Sequence, residues 1–184
     1  ESELIQTYQY LGRRYGLDYI NDSKDVHAYR SMTDSDLEGS IQFSVTHNDC
    51  AGNDGAAVSE TSDNSYVIFD RTPPLDFATD SVLTVGGTSI VNIWNSTNTG
   101  LEVNVPVDND TSLINGSIQV WGTISSNPFQ ILGSSSEISS SDLSNQKLFS
   151  ITAAEVEALS GFSDNDTIKV RAVITDRVNL ETVG

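Results

Sequence analysis

The side chains here that could do chemistry are mostly carboxylates. Asp and Glu number 26 against nine Lys and Arg, a formal net charge of -17. Oxygen donors from Asp, Asn and backbone carbonyls, gathered at turns, are what Ca²⁺ takes in sets of six to eight. The best-placed carboxylates are Asp49, Asp70 and Asp76, which bracket the Pro73-Pro74 pair, with Asp80 following. Asp108, Asp110, Asp164 and Asp166 make further acidic turns. Asp34-Ser-Asp-Leu-Glu-Gly39 begins like a calcium loop, but Val45 stands where an EF-hand needs Glu. The competing reading of every one of these is a solvated turn residue that bonds its own backbone. A second constellation is aromatic: Trp94, Trp121 and Phe129 would form a sugar-stacking platform if exposed, and core packing if not. Nucleophilic catalysis finds little to work with. The histidines are His27 and His47, the single thiol is Cys50, and no nucleophile elbow or phosphate-cradling glycine loop occurs. The expectation is that the chain is not an enzyme.

The charge balance excludes a nucleic-acid binder that neutralises phosphates and argues against docking on anionic membranes. With one Cys no intrachain disulfide forms. No apolar run reaches the length of a membrane span, so no membrane insertion is expected. The stretch opens at Glu1 without a charged-then-apolar leader and reads as a piece of something longer.

Positioning elements come from periodicity. Ile41–Val45, Leu101–Val105, Ile118–Ile124 and Ile168–Ile174 alternate apolar and polar residues, the pattern of strands with one buried face. Turn residues part them: Asn95–Gly100, Asp108–Ser112, Gly133–Glu137 and Ser163–Asp166. One short helix is expected near 152–161, with Thr152 as N-cap, Glu155 as capping-box partner and Gly161 as C-cap. Residues 1–30 hold five of the six Tyr and are nearly neutral; their opening fits a helix or short strands.

The chain also repeats itself. Ile41-Gln-Phe-Ser-Val-Thr-His-Asn-Asp49 lies over Ile168-Lys-Val-Arg-Ala-Val-Ile-Thr-Asp176 at an offset of 127 without a gap. A polar acidic turn precedes both, so a tandem repeat is expected. The second copy should lack the strand equivalent to Tyr66–Phe69, which leaves a sheet edge open to strand exchange with another copy.

Asp49-Cys-Ala-Gly-Asn53, followed by Tyr66–Phe69 and Asp70-Arg-Thr-Pro-Pro74, resembles the ends of bacterial immunoglobulin-like repeats, and 82–176 looks like one such unit with an added helix. The match runs over about 31–184 through Asp49, Gly52, Asn53, Asp70, Thr72 and Pro74. It departs after Asp176, where Arg177-Val-Asn-Leu180 replaces the Ala-Gly-Asn turn, so that turn is expected to be remodelled. The resemblance implies an all-β fold of tandem immunoglobulin-like β-sandwiches with Greek-key connections. One is a partial or atypical unit at 1–72 and one a unit at 73–184. It also implies a secreted or bacterial cell-surface setting, a stalk, spacer or adhesive role, neighbouring repeats as partners, and surface glycans or proteins as targets. The alternative is an accessory or carbohydrate-binding module of a secreted enzyme. The Ca²⁺ expected at Asp49, Asp70 and Asp76 would be structural.

Overall fold

The computed structural model describes residues 18–22, 25–49 and 51–184. The opening segment 3–17 and Cys50 lie outside the described residues. Among the described residues antiparallel β-structure dominates and helix is almost absent, so the fold is all-β. The chain divides into two compact units, one ending at Phe69 and the other spanning Asp70–Gly184.

In the first unit, β1 (Asp18–Asp22) and β2 (Asp25–Tyr29) pair antiparallel. The two-residue strands β3 (Gly39–Ser40) and β4 (Ile68–Phe69) pair as Gly39 with Phe69. The strand expected over Ile41–Val45 does not form. Only single bridges, Val45 to Val58 and Asn48 to Asp54, occur there, and Phe43 and Val45 stay exposed. Alternation makes a strand only when neighbours complete its hydrogen-bond ladder. The same pattern in the second unit has a partner on each side.

That unit has seven strands in two sheets. One is three-stranded, in the order β5 (Ser81–Val85), β6 (Gly100–Pro106), β9 (Gln146–Thr152). The other runs β11 (Glu181–Val183), β10 (Ile168–Thr175), β7 (Ser117–Ile124), β8 (Gln130–Glu137). Inward residues of both sheets share a single core: Leu101, Val103 and Val105 of β6, Ile118 and Val120 of β7, Phe149 and Ile151 of β9, Ala172 and Ile174 of β10. Burying each large aliphatic here contributes about 1.5–3 kcal/mol.

Two irregularities shape the four-stranded sheet. The β7–β8 register shifts between Ile118 and Val120. Gln119 fills the gap, its Nε2 donating to the carbonyls of Val120 (2.9 Å) and Leu132 (3.1 Å). Gly133 takes φ +65° on the bulged strand, where a Cβ would stand 2.8 Å from Ile151 Cδ1. A short 3₁₀ turn, Thr111–Leu113, is capped by Asp110, which accepts from Ser112 N.

The helix α1 (Ala153–Glu157) is shorter than expected. Its capping box forms as read from the residues: Glu155 Oε2 accepts from Thr152 N at 2.8 Å, and Thr152 Oγ1 accepts from Glu155 N at 3.4 Å. The C-cap is Ala158, not Gly161. Val156 and Leu159 are drawn into the core, which ends the helix before Gly161 can cap it. Gly161 instead turns the chain at φ +82°, where a Cβ would meet Asn127 Nδ2 at 2.4 Å.

A clip closes the turn from Ser139 to Lys147. Lys147 Nζ lies 2.8 Å from Asp142 Oδ2 and 2.8 Å from the Glu137 carbonyl, and Ser139 donates to Asp142 through both N–H and hydroxyl at 2.7 Å. The Lys147 bond, then the Ser139 bonds, hold the Asp142 carboxyl at about 2, below its ordinary 3.8. Because the folded value is the lower one, this stabilisation is complete above the unfolded value and is lost as pH falls from about 4 through about 2. An acid titration of thermal midpoints should therefore fall less steeply over that window in Asp142→Asn than in the parent chain.

Candidate functional site

The turn around Asp176 is the best-defined polar feature of the second unit. Asp176 N donates to Leu180 O at 3.0 Å and Asn179 N to Asp176 O at 3.2 Å. Asp176 Oδ1 accepts from Val178 N at 2.8 Å and Leu180 N at 2.9 Å. The turn around Asp49 is built the same way. Asp49 N donates to Asn53 O and Gly52 N to Asp49 O, both at 3.0 Å, and Asp49 Oδ1 accepts from Ala51 N and Asn53 N, both at 2.9 Å. Each of these four bonds at Asp49 has its counterpart 127 residues on. The strand pairing follows suit: Asn48 bridges Asp54 and Thr175 pairs with Glu181.

The departure in sequence after Asp176 does not remodel the turn. Gly52 takes φ +88° and Asn179, at the equivalent position, takes φ +67°. Asn is one of the few side chains that tolerates the left-handed region. What changes is the second carboxylate oxygen. Asp49 Oδ2 accepts from Asn53 Nδ2 at 2.8 Å, and that bond, first among several from the turn, lowers the Asp49 pKa. The residue equivalent to Asn53 is Leu180, so Asp176 Oδ2 is buried with no hydrogen-bond partner. An unmet buried polar group costs about 1–3 kcal/mol. Leu180→Asn is therefore expected to stabilise the second unit by about 1 kcal/mol, read as a raised denaturant midpoint.

The three carboxylates singled out for metal do separate work. Asp49 spends both oxygens on its own turn. Asp70 accepts from Thr72 N at 3.3 Å, also within its own turn. Asp76 lines a cleft of about 580 Å³ with Asp108, Phe77, Leu113, Asn145 and Gln146. Among the described residues no group of three or more His, Cys, Asp or Glu is positioned to hold a metal ion. Asp80 accepts from Gln146 Nε2. Pro74 is buried, and its carbonyl accepts from the Thr182 hydroxyl of β11.

The three aromatics part company. Trp94 is not on a strand. It lies in the loop between β5 and β6 and packs against the core. That loop is tied by Asn98 Oδ1 accepting from Asn95 N at 2.8 Å and Asn98 Nδ2 donating to Gly86 O at 3.0 Å. Trp121 points to the opposite face of β7 from Ile118 and Val120, as alternation demands. Phe129 joins it through a residue no motif had singled out. Arg171, paired across the sheet with Trp121, places its guanidinium carbon 4.0 Å from the Phe129 ring centroid and 6.0 Å from that of Trp121. Its signal in the sequence was an Arg at an outward position of an alternating strand in an acid-rich chain. Trp121 Nε1 and Arg171 Nε are both buried without an acceptor.

His47 is exposed, its ring lying over Gly55, where a Cβ would come within 2.3 Å of Cε1. No helix among the described residues is long and apolar enough to cross a membrane. Comparison of the chain with protein-family models, with curated proteins and with solved structures finds no match.

Proposed function

We propose that this chain is a stretch of tandem immunoglobulin-like β-sandwich repeats from a large secreted or cell-surface bacterial protein, with a stalk, spacer or adhesive role and no catalysis of its own. The observation that carries the reading is the pair of hairpin turns at Asp49 and Asp176, which share these four hydrogen bonds across a 127-residue offset although only the Asp is kept in their sequences. Strand order supports the finer fold. The first, second and fifth strands of the second unit make one sheet, and the seventh, sixth, third and fourth make the other. That distribution of seven antiparallel strands over one core suits an immunoglobulin-like sandwich, and α1 sits in the crossover from the fifth strand to the sixth.

A net charge of -17 keeps such modules apart in solution, and Ca²⁺ enters the reading as a counter-charge. Thermal melts with excess Ca²⁺ and with EDTA measure it, since a ligand that binds only the folded state raises the midpoint.

The test of the repeat reading is dimension. Chains with one, two and three copies of residues 70–184 in series, measured by small-angle scattering, should lengthen by a constant increment per copy. Strands of seven or eight residues set a floor of about 25 Å for it. Copies that fail to fold, or a dimension that grows as a flexible coil does, would sink the reading.

A further inference from the structure

We propose that Arg171, held on Phe129 beside Trp121, anchors a binding site for a sugar that carries one carboxylate. The inference gives a ligand class to the adhesive part of the reading above and rests on it only there, because the site lies within one face of the second unit.

Among the described residues Lys147 pairs with Asp142 and Arg30 with Asp36, whereas Arg171, like Lys169 and Arg177, shows neither an ion pair nor a side-chain hydrogen bond; of these three, Arg171 is the one with a buried nitrogen. Its Nε is buried and unmet, as is Trp121 Nε1 on the neighbouring strand. Two donors withdrawn from water side by side without an acceptor are costly and rare in a folded chain. Both nitrogens lie out of reach of a ligand, so they show how closely Arg171 and Trp121 pack and not what binds there.

What stays accessible on this face is the part of Arg171 beyond Nε. Phe129 lies against the guanidinium, 4.0 Å from ring centroid to Cζ, and of the three nitrogens only Nε is buried and unmet, which leaves the Nη edge for a partner. A guanidinium fork held in this way matches a carboxylate with two parallel hydrogen bonds. Lys169, two residues back on the same outward face of β10 and exposed, adds positive charge. Beside Arg171 the surface is partly apolar: Trp121 is half-buried, and Ile131, its cross-strand neighbour, is 59% exposed. The face of an indole ring is electron-rich and takes the C–H face of a pyranose. A carboxylate on the fork and a ring face on Trp121 together describe a uronic-acid type of sugar. The net charge of -17 repels polyanions over a Debye length of about 8 Å at physiological salt, so the site favours a single carboxylate over an acidic polymer.

The test uses the whole chain, glucuronate as probe, and the two Trp indole N–H signals in NMR, assigned with Trp121→Phe. Glucuronate should move the Trp121 signal at millimolar concentration and leave Trp94 still. Glucose and acetate should each bind at least tenfold more weakly, because each supplies half of the contact. Arg171→Gln should abolish the shift. Arg171→Lys, which keeps stem and charge but not the fork, should weaken it at least tenfold, and the titration of the unaltered chain stands even if Arg171→Gln does not fold. Acetate binding as well as glucuronate would overturn the sugar, and glucose binding as well would overturn the carboxylate. No movement of the Trp121 signal would leave Arg171 as a cover for the apolar sheet face and overturn the site. So would an acidic peptide that outcompetes glucuronate, or a Trp121-dependent dimer in sedimentation, since either names a different occupant.

Discussion

Asp176→Ala is expected to destabilise the second unit by about 3 kcal/mol, lowering its thermal midpoint by roughly 10 °C. The substitution leaves Val178 N and Leu180 N, half-buried beside the fully buried position 176, without their carboxylate acceptor. Asp176→Asn should cost much less. One carbonyl oxygen can keep both N–H bonds, and the amide removes a buried charge whose second oxygen has no partner. The equivalent Asp49→Ala should cost clearly less than Asp176→Ala, because Asp49 is exposed and water replaces what the carboxylate gave. Denaturant melts of the three variants, followed by signals from each unit, check the order. Equal effects at Asp49 and Asp176 would mean that burial does not set the worth of this turn.

A double-mutant cycle at Gly122 and Leu132 should give the other large effect. Leu132 is fully buried opposite Val120, so Leu132→Ala is expected to cost about 2–5 kcal/mol in transfer and cavity terms. A Cβ on Gly122 would lie 2.4 Å from Leu132 Cδ1 and 3.2 Å from Leu159 Cδ1, so Gly122→Ala should cost about 1–3 kcal/mol through overpacking. Together they should cost clearly less than the sum, since the added methyl moves into space the leucine vacates. Additive costs would show that the two side chains do not share that space.

Residues close in sequence carried much of this reading. The alternation along β6, β7 and β10 names their buried faces, because successive side chains point opposite ways whatever the sheet does. Thr152 and Glu155 name the helix start, because a capping box closes within four residues. The same alternation failed at Ile41–Val45, because a ladder needs neighbours that no local pattern supplies. Gly161 failed as a C-cap, because Val156 and Leu159 are held by the core of two sheets.

By itself the sequence determined that the chain is all-β, rich in acidic turns, and marked by a repeated segment ending in Asp49 and Asp176. These follow from side-chain period, charge and turn chemistry, all of which act over a few residues. Only the tertiary structure decided that Asn179 stands in for Gly52, that Leu180 leaves an oxygen of Asp176 unmet, and that Arg171 meets Phe129 and Trp121. Those facts depend on which strands lie side by side. Residues 121, 129 and 171 share one patch only after β7 and β10 pair. That pairing is driven by burial of the opposite face, where none of the three side chains lies.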